Sequence, residues 1–200
     1  MLKQIYHTIG KTAVAEYKDR GSKFIAYASP VFDSEGFKAV LQGLKKEHPK
    51  ATHHCFAYRI GTEGNNFRVS DAGEPSGTAG KPILGQLDSR SLTNTLVVVV
   101  RYFGGTLLGI PGLINAYKSA AALVLQLTPI VEKQVEARYR LRFPYMQVNE
   151  VITILKLYQC TIYKKDLQLF SEMEIGIPLQ SVEEFLHRSK EINNIESLSL

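Results

Sequence analysis

The 200-residue chain has no tryptophan, only two cysteines and three methionines. Two thiols as far apart as Cys55 and Cys160 do not make a disulfide framework. The opening MLKQIYHTIG lacks the apolar core of a secretion signal. Apolar runs such as Leu96–Val100 are far too short to cross a bilayer. A cytoplasmic protein with no membrane partner is therefore expected. Neither repeats nor low-complexity tracts are present, so a solenoid or a disordered chain is not indicated. What is there suits a globular fold: 44% hydrophobic residues, 22% charged, ten Tyr and nine Phe. That is enough apolar material for two small cores.

The formal charge of +5 is unevenly placed. Residues 1–132 hold fifteen basic and ten acidic residues, and residues 133–200 hold nine of each. A polyanionic partner would prefer the first part, although ordinary solubility explains such a balance equally well.

Along the chain, residues 11–32 alternate around Asp19-Arg20-Gly21 and predict a hairpin. Asp33 or Ser34 can cap a helix whose Phe37, Val40, Leu41 and Leu44 share one face. His53–Ile60 and Phe67–Ser70 read as strands, and Lys81–Leu87 as a short helix with Pro82 in its first turn. The β-branched run Thr95–Val100 predicts a strand buried on both faces. A helix is expected over 112–127, with Leu113, Tyr117, Ala120 and Val124 inward. Thr128-Pro129 marks the expected domain boundary, giving domains 1–130 and 131–200. Beyond it the pattern is β-α-β-β-α-β, with Ser181 and Glu184 spaced as a capping box before the last helix.

Two segments can carry chemistry. The first is DAGEPSGTAGKPIL, residues 71–84. Gly73, Gly77 and Gly80 allow positive φ or close backbone approach, and Pro75 and Pro82 stiffen the loop. Lys81 at a helix start suggests an anion site. The spacing is not that of a P-loop, so nucleotide hydrolysis is not indicated. Asp71 and Glu74 are either an acid–base pair or loop-capping groups. The second segment is VVVVRYFGGTLLGIPGLINAYKSA, residues 97–120. Arg101, Tyr102 and Phe103 leave the buried strand and can serve phosphate binding and base stacking. Equally, Arg101 can pair with Asp71 or Glu74, with both aromatics in the core. His53, His54 and Cys55 are adjacent on a strand and therefore do not converge on a metal. A Cys–His pair completed from elsewhere in space is left open. No cofactor and no metal are expected.

Together with Ala51-Thr-His-His-Cys55, these two segments resemble the signature of the YigZ/IMPACT family, over about residues 15–130. The resemblance implies an α+β protein. Its N-terminal domain would be similar to the ribosomal-protein-like domain IV of elongation factor G, with a four-stranded sheet and two helices. Its C-terminal domain would be ferredoxin-like, similar to domains III and V of that factor. In the family, eukaryotic members restrain a starvation-responsive initiation-factor kinase by competing for its ribosome-associated activator. No module is expected ahead of the shared domain here, so kinase regulation is not carried over. Pro111 stands where family members commonly have glycine, and it removes a backbone donor.

The leading expectation is a non-enzymatic RNA- or ribosome-binding factor linked to translation. Its candidate anion-binding residues are Arg68, Lys81, Arg101, Tyr102 and Lys118. Asp71, Gly73, Glu74, Gly77, Gly80, Gly104 and Gly105 would form the loop scaffold. The alternatives are an enzyme acting on a small phosphorylated or peptide substrate in the glycine-loop cleft, and an adaptor docking a protein through its C-terminal domain.

Overall fold

The computed structural model describes residues 4–192 and 194–200. By its internal contacts the chain divides into two units, Tyr6–Lys133 and Gln134–Leu200, the latter joined by Gln4 and Ile5.

The first unit is built on a five-stranded antiparallel sheet, order β2-β3-β6-β4-β5. Its strands are β2 (Ala13–Asp19), β3 (Ser22–Pro30), β4 (His53–Ile60), β5 (Asn66–Ser70) and β6 (Thr95–Tyr102). β2 and β3 form the expected hairpin. Asp19 pairs with Ser22, and the two linking residues Arg20 and Gly21 both have positive φ, as a two-residue hairpin turn demands. Helix α1 (Ser34–Glu47) is capped by the Asp33 carboxylate, which accepts from the Gly36 N–H at 2.7 Å. It packs on one face of the sheet, with Phe37 and Leu44 against Phe56, Tyr58, Leu96, Val98 and Val100. Helices α2 (Gly80–Asp88) and α3 (Gly109–Gln126) cover the other face, against Phe24, Cys55, Val97 and Val99. β6 is therefore sandwiched between two apolar layers, as its run of β-branched residues requires.

The sheet has five strands and three helices pack on it, where the family resemblance implied four and two. The difference is one strand and one helix, and the strands and helices read from the residues themselves already number five and three. A small pair of strands, β1 (Ile5–Ile9) and β7 (Ile130–Gln134), was not anticipated. The division by internal contacts falls after Lys133, within β7 and close to the expected boundary at Thr128-Pro129.

The second unit runs β8 (Glu136–Pro144), α4 (Val148–Leu157), β9 (Thr161–Asp166), β10 (Phe170–Pro178), α5 (Val182–Lys190) and β11 (Glu196–Ser199). Its sheet order is β11-β8-β10-β9. Leu141, Phe143, Met173, Ile175 and Ile177 meet Val151, Leu155 and Phe185 in one core. The Ser181–Glu184 capping box does not form. Ser181 ends a 3-10 turn, Leu179–Ser181, and its hydroxyl makes no cap bond.

Candidate functional site

The two glycine-containing segments meet at one end of the five-stranded sheet. Asp71 follows β5 and turns its carboxylate onto the start of α2. It accepts from the Gly77 N–H at 2.8 Å, the Ala79 N–H at 3.0 Å and the Gly80 N–H at 2.8 Å. The anion site expected at this helix start is thus filled by the chain's own carboxylate, and Asp71 is a loop-capping group. Burial alone would raise the pKa of Asp71. The three backbone donors, with help from Lys81, outweigh that and hold its carboxyl below the ordinary range.

Glu74 is the buried acid of the loop, with its side chain 4% exposed. The Arg101 Nη1 donates to its Oε1 at 2.6 Å, and the Tyr117 hydroxyl donates to the same oxygen at 2.7 Å. Arg101 sits at the end of β6 on the same face as Val97 and Val99, with its side chain only 6% exposed. Its guanidinium also lies over Phe24 and Phe103 and reaches the Ser22 hydroxyl at 3.4 Å. Of the two partners weighed for Arg101, the structure chooses Glu74. The pairing follows from strand parity, since only residues matching Val97 and Val99 in phase face α2 and α3.

Cys55 lies under this pair. Its single proton is shared in reach between the Asp71 carbonyl oxygen at 3.0 Å and the Tyr117 hydroxyl oxygen at 3.3 Å. Burial pushes its thiol up to about 12, only partly offset by Tyr117. Burial, then Cys55 and Glu74, likewise raise Tyr117 far above the usual phenol range. His53 reaches from the strand edge, its Nδ1 2.9 Å from the Ala72 carbonyl oxygen and its Nε2 3.8 Å from Glu74 Oε1.

The remaining candidates separate. Tyr102 points to the α1 face, where its hydroxyl is 2.9 Å from His48 Nδ1. The other nitrogen of His48 is 2.6 Å from the Tyr27 hydroxyl. Arg68 pairs in register with Tyr58 and so belongs to the α1 face, whereas Lys81 and Lys118 stand on α2 and α3. All three are exposed and in no ion pair among the described residues. Lys45, Lys46 and Lys50, at and after the end of α1, are likewise exposed and in no ion pair among the described residues. Gly73 and Gly77 have positive φ, as does Gly105. Tyr117 was read only as core, because nothing in a helical apolar stripe tells a hydroxyl partner from a packed ring. Among the described residues no group of three or more His, Cys, Asp or Glu is placed to hold a metal ion.

Above Glu74 and Arg101 lies a cleft of about 430 Å³, walled by Pro75, Phe103, Leu107, Leu108, Ile110 and Leu113. Every segment of this constellation falls inside the stretch that matches the Impact N-terminal domain, residues 20–125. The chain belongs to the IMPACT family. It is 35% identical over 176 residues to the IMPACT family member YigZ of Escherichia coli K12, covering 87% of this chain and 85% of that one. It is also 35% identical to an IMPACT family member of Haemophilus influenzae, over 90% of this chain and 88% of the relative. A solved structure described as that of a hypothetical protein superimposes with a TM-score of 0.76 at 30% identity, covering 100% of this chain and 98% of the other. The IMPACT match thus spans both signature segments and, through the YigZ-type relatives, extends into the second unit.

Proposed function

We propose that this IMPACT-family chain is a non-enzymatic factor that binds RNA or the ribosome through its first unit and acts in translation. The observation that carries this reading is the partition of charge. The whole excess of +5 lies in residues 1–132. Exposed lysines and arginines there, namely Lys45, Lys46, Lys50, Arg68 and Lys118, are left without carboxylate partners among the described residues, and Lys81 acts on Asp71 only at a distance. In the second unit, by contrast, the arginines of β8 are spent internally. Arg140 Nη2 donates to Glu174 at 3.1 Å, Arg142 Nε donates to Glu172 at 2.8 Å, and Arg138 stacks on Tyr163.

The reading assigns phosphate contacts to the exposed cations and gives Arg101 a structural role. Its link to translation rests on the family resemblance, as does the likeness to elongation-factor domains. A non-enzymatic role is supported by the chemistry of the cluster. Cys55 is held as the thiol, which is not a nucleophile, and Asp71 spends its carboxylate on three N–H groups.

Fluorescence polarisation with labelled single- and double-stranded RNA tests the proposal. Log affinity should fall linearly with log salt, at a slope of roughly −0.7 to −0.9 per phosphate neutralised. Absence of binding at low salt, or binding indifferent to salt, would refute it.

A further inference from the structure

The cleft above the Glu74–Arg101 pair is not explained by phosphate binding, because a carboxylate forms part of its floor. Three groups converge on one oxygen of Glu74: Arg101 Nη1, the Tyr117 hydroxyl and, more distantly, His53 Nε2. No partner meets Oε2 among the described residues, and it is not one of the fully enclosed unpaired atoms. One acceptor of the floor therefore remains open. His53 stands beside it, donating its Nδ1 proton to the Ala72 carbonyl oxygen at 2.9 Å.

Donors are available in the lining as well. Helix α3 begins at Gly109 after Leu108, which supplies no side-chain cap. The N–H groups of Gly109 and Ile110 are among the first four of the helix and have no intrahelical acceptor. Both residues line the cleft. The charges of Arg101 and Glu74 cancel, so neither a phosphate nor an ammonium is favoured at the base. An uncharged head group with one donor and one acceptor is favoured, and a peptide amide has both.

The walls select what that amide carries. Leu107, Leu108, Ile110, Leu113 and Pro75 are aliphatic, with one aromatic, Phe103. Leu107 is 82% exposed, Ile110 58% and Phe103 47%, an apolar rim open to solvent. The volume of about 430 Å³ lies within the range of ligand pockets, roughly 300–1,000 Å³. A stacked nucleobase would call for aromatic walls rather than leucine and isoleucine.

We infer that this cleft binds a peptide segment of a partner protein, seating one large apolar side chain against Leu107, Ile110 and Leu113. The flanking backbone N–H bonds Glu74 Oε2, and the flanking carbonyl accepts from the first N–H groups of α3. This site is independent of the RNA-contacting lysines, and either can fail without the other.

The test is a titration of the full-length protein, followed by amide NMR, with N-acetyl-leucine and N-acetyl-phenylalanine N-methylamides. N-acetyl-serine N-methylamide and uridine and guanosine monophosphates serve as comparison probes. The expected result is saturable shifts at His53 and residues 107–113 with the leucine and phenylalanine probes, and none with serine. The double variant Leu107→Asp, Ile110→Asp should abolish saturation while leaving the other amide signals in place, since both side chains are exposed. No saturation with either apolar probe would overturn the inference. So would equal response to serine, indifference to the double variant, or the same shifts produced by a nucleotide instead.

Discussion

Asp71 and Glu74 are three residues apart in one loop and do opposite kinds of work. Asp71 replaces the missing side-chain cap of α2, accepting three backbone donors. Asp71→Ala strands those donors and should cost about 1.5–3 kcal/mol in urea unfolding, the range for hydrogen bonds to a charged group. Its folded pKa is depressed, so its contribution is complete above the ordinary aspartate range and is lost as pH falls through the lowered folded value. Acid unfolding of Asp71→Asn should accordingly lose part of the wild-type pH dependence below about pH 4. Glu74 instead neutralises a buried cation. Arg101→Ala leaves that carboxylate uncompensated and should cost about 3–5 kcal/mol, whereas Arg101→Leu combined with Glu74→Leu should recover much of the loss. A double-mutant cycle from denaturant midpoints measures the coupling. Cys55 belongs to the same network and should resist iodoacetamide in the folded protein at mildly alkaline pH, becoming reactive only on unfolding. Rapid native alkylation would contradict its placement.

At the level of elements, the tight junction is where the β2–β3 turn meets the loop leaving β6. Gly104 lies so close to the backbone of Gly21 and Ser22 that a Cβ would overlap it. Its N–H also donates to the Ser22 hydroxyl at 3.2 Å. Gly104→Ala should therefore lower the thermal midpoint markedly, while the same change at the unobstructed Gly85 should be tolerated or slightly stabilising. Gly80 is held for a related reason: a Cβ there would stand 2.9 Å from the Ser70 N. Helix α3 shows how Pro111 is accommodated. It starts at Gly109, before the expected residue 112, and takes Pro111 into its first turn, where a missing N–H removes no intrahelical bond. The open donors are those of Gly109 and Ile110, so proline leaves the wall of the cleft intact.

On the scale of the whole molecule, charge and chemistry are divided between two units with separate cores. Charge reversal tests the proposed RNA contact. Lys81→Glu or Lys46→Glu should weaken RNA binding and reduce the salt slope, while Lys165→Glu in β9 should leave both nearly unchanged. Equal effects from both units would contradict the charge partition. The sequence by itself determined what depends on near neighbours and periodicity. The Asp19–Gly21 hairpin turn, the Asp33 cap, the doubly buried β6 and the βαββαβ order of residues 136–199 are all of this kind, as is family membership through residues 71–84 and 97–120. Tertiary structure decided what depends on partners far along the chain. It paired β1 with β7, filled the α2 anion site with Asp71, and replaced the Ser181 cap with a 3-10 turn. It also gave Arg101 to Glu74 and Tyr117, and sent Tyr102 to the opposite face. Local pattern fixes which side of an element a residue occupies, but only packing sets which distant group it meets there and whether its charge is left for a ligand.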